Sequence, residues 1–131
     1  MKVERLDHIN IRIPKDKVEE AVEFYRDILG FEAKKLDKYR DKERTSFAFQ
    51  PSQNSMIHVR PKENFKKPKK KNFDHFCLIT NDSITELKEK WGSKVEIERE
   101  SNPWGPGGRA PAVYIKDPFG YTIEIKENPE K

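Results

Sequence analysis

Two stretches of this chain repeat one another, with metal-competent side chains at matching places. His8 and His75 each open a strand-like segment and each follows an aspartate, in Asp7-His8 and Asp74-His75, 67 positions apart. His58 comes 50 positions after His8, and Glu124 comes 49 after His75. A repeat of this length means that one supersecondary unit is built twice, and donors at matched places in both copies point to one site where two modules meet.

Each half reads as strand, helix, three strands. In residues 6–13, Ile9, Ile11 and Ile13 fall in one phase and His8, Asn10 and Arg12 in the other, so a strand there presents the polar set on a single face. Pro14-Lys15-Asp16 breaks the strand. Val18, Ala21, Val22, Tyr25, Ile28 and Leu29 then recur at helical spacing until Gly30 stops them, which predicts an amphipathic helix of about three to four turns. Phe24 and Tyr25 belong to its core face. Extended runs are expected at 31–36, 45–49 and 55–60, the last two joined by Pro51-Ser52-Gln53-Asn54. The second half repeats the order: a strand at 73–80, a helix capped by Asp82-Ser83 that carries Ile84, Leu87 and Trp91 and stops at Gly92, and strands near 94–100, 111–116 and 121–126. Asp117-Pro118-Phe119-Gly120 is the turn between the last two. His58 lies nine residues after Phe49, and Glu124 nine after Ile115. Ile57-His58-Val59 and Ile123-Glu124-Ile125 share one plan, a polar side chain opposite two packed ones.

At 131 residues the chain has room for one compact domain of α+β class. Module 1 is expected at about 4–61, a Lys-rich linker at about 62–71 and module 2 at about 72–127. The N-terminal residues lack an apolar signal core and no run of roughly 18 apolar residues occurs, so a soluble, cytoplasmic protein with no membrane partner is expected. A single cysteine, Cys77, excludes an internal disulfide framework, and its apolar strand context predicts a buried, unreactive thiol. The net charge of +4 is concentrated in Lys62, Lys66, Lys67, Lys69, Lys70 and Lys71. Without interleaved aromatics beyond Phe65, and with Pro61 and Pro68, this tract reads as a solvated linker and not as a nucleic-acid contact.

Asp7-His8-Ile9, the helix segment Ala21-Val22-Glu23-Phe24-Tyr25-Arg26-Asp27-Ile28-Leu29-Gly30-Phe31 and the ending Asp117-Pro118-Phe119-Gly120-Tyr121-Thr122-Ile123-Glu124 resemble the vicinal oxygen chelate superfamily. That group includes glyoxalase I, methylmalonyl-CoA epimerase, extradiol dioxygenases and the fosfomycin and bleomycin resistance proteins. The resemblance spans residues 6–125. It implies paired βαβββ modules whose curved mixed sheets enclose a shared metal cleft, with ligands at His8, His58, His75 and Glu124. His58 departs from the family pattern, because glyoxalase I carries a carboxylate or glutamine at that place. Three imidazoles and one carboxylate suit Zn, Ni, Fe or Co, with Mn also admissible.

What the resemblance implies for activity is glyoxalase-type lyase or isomerase chemistry on a small-molecule substrate with adjacent oxygens, through a metal-stabilised enediolate and with Glu124 as general base. An extradiol-type Fe(II) dioxygenase using His8, His75 and Glu124 as a facial triad is one alternative. A non-catalytic, ligand-sequestering protein of the resistance type is another. Relatives of this size commonly form homodimers, with each site assembled from one module of each subunit; a monomer whose two modules face each other is the other arrangement. Substrate contacts are assigned to Asn10, in phase with His8, and to Trp104 and Arg109 in the Gly- and Pro-rich stretch 102–111, which otherwise reads as a flexible connection. Asp7 and Asp74 are read as bland residues at the head of each strand, since neighbours on a strand face opposite ways.

Overall fold

A computed structural model describes residues 1–131. The chain divides into two compact units, Met1–Lys66 and Lys67–Lys131. The first contains β1 (His8–Pro14), a 3-10 turn (Lys15–Lys17), α1 (Val18–Ala21) continuing into a π-helical segment (Val22–Ile28), β2 (Glu32–Lys34), α2 (Leu36–Arg40), β3 (Phe47–Ser52) and β4 (Ser55–Lys62). The second contains β5 (Phe76–Thr80), α3 (Ile84–Trp91), β6 (Glu96–Ser101), β7 (Ala112–Lys116) and β8 (Thr122–Glu127). Their sheets have the same order, β1-β4-β3-β2 and β5-β8-β7-β6. In each, the first strand runs parallel to the last and the other neighbours are antiparallel. The fold is α+β, two modules of mixed sheet, as the duplicated pattern implies.

Period-two alternation decides the faces. On β1, Ile11 and Ile13 are buried while His8, Asn10 and Arg12 are exposed. The apolar face packs under the helical segment, where Tyr25 is fully buried and stacks on Phe49 at 5.0 Å between ring centroids. Burying aromatic and branched side chains at about 1.5–3 kcal/mol each is what holds this layer to the sheet. In the second unit Ile84 and Trp91 of α3 are buried, as are Val113, Ile115, Ile123 and Ile125 on one face of β7 and β8. No helix is long and apolar enough to cross a membrane.

Three local features differ from the sequence reading. The helix stopped by Gly30 (φ 82°) is α-helical for only four residues before it widens, with Leu29 N–H bonding Phe24 O at 2.9 Å and Phe31 N–H bonding Tyr25 O at 2.9 Å. The wider turn reduces the angle between successive side chains, so the neighbours Phe24 and Tyr25 both face inward. The extra helix α2 is a single turn, too short to show periodicity; it buries Leu36 and rests Tyr39 on Phe47 at 5.3 Å. Pro51 and Ser52 belong to β3 and not to the turn. A register shift between Phe49 and Ser52 accommodates the proline, which has no N–H for the ladder, and the reversal narrows to Gln53-Asn54.

Candidate functional site

In the first unit the parallel register sets Asn10 opposite His58 and His8 opposite Met56, so the two histidines are diagonal neighbours on the polar face. Their ring centroids are 4.4 Å apart. Burial, and then the charge of His8, lower the pKa of His58 below the ordinary histidine value, which keeps its imidazole neutral and its lone pair available. His8 Nδ1 meets Asp7 Oδ2 at 2.9 Å. That bond is the main reason the Asp7 carboxyl is held below its usual range, so Asp7 is an anion and only accepts. His8 therefore carries its proton on Nδ1 and leaves Nε2 unprotonated when neutral.

The second unit repeats the device with a carboxylate in place of the second histidine. Cys77 stands opposite Glu124 in the ladder, as Asn10 stands opposite His58. His75, one turn of the pleat earlier, meets Asp74 Oδ2 through Nδ1 at 2.6 Å and Glu124 Oε2 through Nε2 at 2.9 Å. Hydrogen bonding to His75 holds the Asp74 carboxyl below its ordinary value. A neutral imidazole has one N–H, which satisfies one carboxylate and turns a lone pair toward the other. The Glu124 side chain is only 7% exposed, so water does not relieve that repulsion. A proton, carried by either group, or a cation must lie between Nε2 and Oε2. Nitrogen and oxygen donors about 2.0–2.2 Å from one tetrahedral ion stand roughly 3.4 Å apart, so this hydrogen-bonded pair at 2.9 Å would have to open slightly to share one.

Asp7 and Asp74 thus do what strand alternation argued against, each orienting its own neighbouring histidine. The reason is position. β1 begins at His8 and β5 at Phe76, so both aspartates precede the paired strand and are free of its alternation. Orientation of a ligand imidazole by a carboxylate on its other nitrogen fixes the tautomer and raises ligand basicity.

Glu124 is set by the turn before it. Asp117 is buried, and its Oδ1 accepts from Phe119 N–H at 2.9 Å and Tyr121 N–H at 2.8 Å, while Gly120 takes φ 97°. The carboxylate closes an Asx turn and fixes where β8 starts, hence which face Glu124 occupies. On that face Tyr114 of β7 is the ladder partner of Glu124 and meets the His75 ring edge-on at 5.1 Å. The guanidinium of Arg99 lies over the Tyr114 ring, 3.7 Å from its centroid. A polar cavity of about 170 Å³ opens here, lined by Lys71, Asp74, Glu98, Arg99, Tyr114, Lys116 and Thr122.

Cys77 is not the buried thiol expected from its apolar neighbours: it lies on the exposed face of edge strand β5. Desolvation of the sulfur against the sheet, reinforced by the Glu124 charge, nonetheless pushes its pKa up to about 12. The thiol stays protonated at neutral pH and is a poor nucleophile.

The four expected donors are brought together in two pairs, His8 with His58 and His75 with Glu124. Asn10 shares the face of the first pair. Trp104 is 77% exposed, and an Arg109 guanidinium nitrogen donates to Asn102 O at 2.9 Å, closing its own loop. That loop is tied to β8 by buried Lys126, whose Nζ donates to Gly108 O at 2.6 Å. No hydrogen bond, ion pair or ring contact joins either of them to His75 or Glu124. Sequence reading missed Tyr114 and Arg99. Val113-Tyr114-Ile115 carries the same plan as Ile57-His58-Val59, which marks Tyr114 as a face residue. The register shift between Ile97 and Arg99 hides Arg99 from any alternation argument.

The sequence matches the family described as Glyoxalase/Bleomycin resistance protein/Dioxygenase superfamily over residues 5–125. Among solved structures, a Bacillus anthracis protein assigned to the glyoxalase family superposes with a TM-score of 0.72 at 27% identity, covering 98% of both chains. A lactoylglutathione lyase from Agrobacterium tumefaciens gives 0.59 at 21% identity over 93% of both. A glyoxalase/dioxygenase from Nostoc punctiforme gives 0.70 at 17% over 95% of this chain and 91% of that one. No curated protein matches the chain. With the duplicated modules, the paired donors and a family match over nearly its whole length, this chain belongs to the glyoxalase, bleomycin resistance protein and dioxygenase superfamily.

Proposed function

We propose that this protein is a metal-dependent enzyme of the glyoxalase type, a lyase or isomerase acting on a small substrate with adjacent oxygens. In this reading His8, His58, His75 and Glu124 are the metal donors, and Glu124 is also the general base. The observation that carries it is His75 between two carboxylates, 2.6 and 2.9 Å from its ring nitrogens, an arrangement that a cation between Nε2 and Glu124 would satisfy. His58 supports it, as an imidazole kept neutral by burial and by His8.

A bound Zn, Ni, Co, Fe or Mn ion supplies Lewis acidity where negative charge develops on the substrate oxygens. The chain supplies the rest. Asp7 and Asp74 accept from Nδ1 of their histidines, so that Nε2 of the neutral ring keeps its lone pair. Glu124, buried and braced by the Asp117 turn, takes a proton from the carbon beside a carbonyl and returns it to the neighbouring atom, a one-base shuttle. Cys77 stays a thiol beside it and does not compete as nucleophile.

The test combines metal analysis of purified protein with turnover of a panel of 2-oxoaldehydes, hydroxy acids and catechols. Glu124→Gln is expected to lower turnover by about 10²–10⁴, and unchanged turnover with metal still bound removes Glu124 as base. A homodimer belongs to the same reading, and sedimentation at the mass of one chain at high concentration removes it.

A further inference from the structure

The charges lining the cavity of the second unit do not balance once each partner is counted. Lys116 is offset by Glu98 at 3.8 Å, and Glu98 also accepts from the Thr122 hydroxyl at 3.4 Å. Asp74 is committed to His75, and Lys71 donates to Gly120 O at 2.6 Å. Arg99 forms no ion pair. Its guanidinium carbon lies over the Tyr114 ring, 3.7 Å from the centroid, at the cavity wall, and the Asp74 carboxylate feels its charge without pairing with it.

The other module is an internal control, because Lys34 faces Ala48 across the β2–β3 ladder as Arg99 faces Tyr114 across β6–β7. There the aromatic platform is absent and the cation is taken by Glu32 at 2.7 Å. Only the second module pairs an uncommitted guanidinium with a ring that holds it still. Tyr114 is also the residue that touches His75, at 5.1 Å, and faces Glu124 in the ladder. An anion on Arg99 therefore sits one residue from the reacting groups, in an open cavity of about 170 Å³ that has room for a small organic molecule.

We propose that the Arg99–Tyr114 corner is a carboxylate-binding subsite and that the substrate is a small organic acid carrying its adjacent oxygens beside that carboxylate, not a neutral aldehyde or catechol. A planar fork fixed on an aromatic face recognises a carboxylate through two parallel hydrogen bonds, which orients the rest of the molecule toward His75 and Glu124. The inference rests on the metal-enzyme reading for the role of the adjacent oxygens, and on Arg99 for the acid.

The probe is glycerate, which has a carboxylate and two neighbouring hydroxyls, against its neutral counterpart glyceramide. Binding of each is followed by NMR titration in Zn-loaded and in EDTA-stripped protein. Glycerate is expected to bind about tenfold more tightly than glyceramide in both forms, with the largest shifts at Arg99 and Tyr114. Arg99→Gln should erase the preference, Arg99→Lys should keep part of it, and Lys34→Gln should leave it whole. Equal affinities, a preference that survives Arg99→Gln, or no saturable glycerate binding overturns the proposal. A preference that needs zinc and ignores Arg99 sinks this subsite but leaves the metal reading intact. A preference that follows Arg99 in protein unable to take up metal upholds the subsite and sinks the metal reading.

Discussion

Replacing Asp117 by alanine removes one acceptor atom that serves two backbone donors. Its Oδ1 is 2.9 Å from Phe119 N and 2.8 Å from Tyr121 N, and Asp117 is only 6% exposed, so water does not replace it without cost. A buried donor left without a partner costs about 1–3 kcal/mol. Two of them, one fully buried and one partly, put the loss near 3 kcal/mol, a large share of the ordinary stability of a domain. Asp117→Asn keeps a carbonyl oxygen in place and forfeits only the charge assistance, about 1 kcal/mol. Both tryptophans lie in the second unit, and the buried one, Trp91 at 4% exposure against 77% for Trp104, reports its unfolding. With a urea slope of about 1 kcal/mol/M for a unit of this size, the fluorescence midpoint of Asp117→Ala should fall by roughly 3 M and that of Asp117→Asn by roughly 1 M. If alanine costs less than about 1 kcal/mol, or asparagine costs as much as alanine, the turn is not what holds the start of β8.

Other consequences can be checked as directly. Asp74→Asn should weaken zinc affinity about tenfold in competition with a chelator, since a ligand's outer partner contributes 10- to 100-fold; Asp74 is largely exposed, so the urea midpoint should move only slightly. In metal-free protein the lowered His58 pKa means that the unfolded chain takes up a proton near pH 6.5 which the folded chain refuses. The stability contributed by a neutral His58 is present above pH 6.5 and is lost as pH falls below it. Circular dichroism melts should show this decline in the wild type and a flatter profile in His58→Gln. The bonds that lower Asp7 and Asp74 add stability above their unfolded value of 3.8, lost only on further acidification.

The sequence is legible where a side chain's environment follows from period and repeat. Alternation in 8–13 and the shared Ile-His-Val and Ile-Glu-Ile plans put His8, His58 and Glu124 on the polar faces of their sheets, and the ladders set Asn10 opposite His58 and Cys77 opposite Glu124, which leaves His8 and His75 two residues off register from their neighbours. Gly30 and Gly92 stop their helices with positive φ, and Asp117-Pro118-Phe119-Gly120 makes its turn. What escapes reading depends on packing or on broken register. The π-helical segment has the composition of an α-helix and differs only in which carbonyl each N–H reaches. Pro51 sits within a strand because a bulge admits it. Asp7 and Asp74 turn back on their histidines because the ladder has not yet begun, a boundary of one or two residues beyond the reach of sequence periodicity. Arg99 is displaced onto Tyr114 by a bulge, and Cys77 lies on an edge where an apolar neighbourhood in sequence is not burial in space.

The central claim is that the unprotonated Nε2 of His75 and the carboxylate of Glu124 close on a divalent cation. The most direct measurement is a zinc titration of EDTA-stripped protein followed by ¹⁵N NMR of the imidazole nitrogens. The account predicts stoichiometric binding in which His75 Nε2 shifts as a metal donor while Nδ1 keeps its proton against Asp74, and loss of that binding in His75→Gln. Imidazole signals unmoved by saturating zinc, nickel, cobalt or manganese would contradict it.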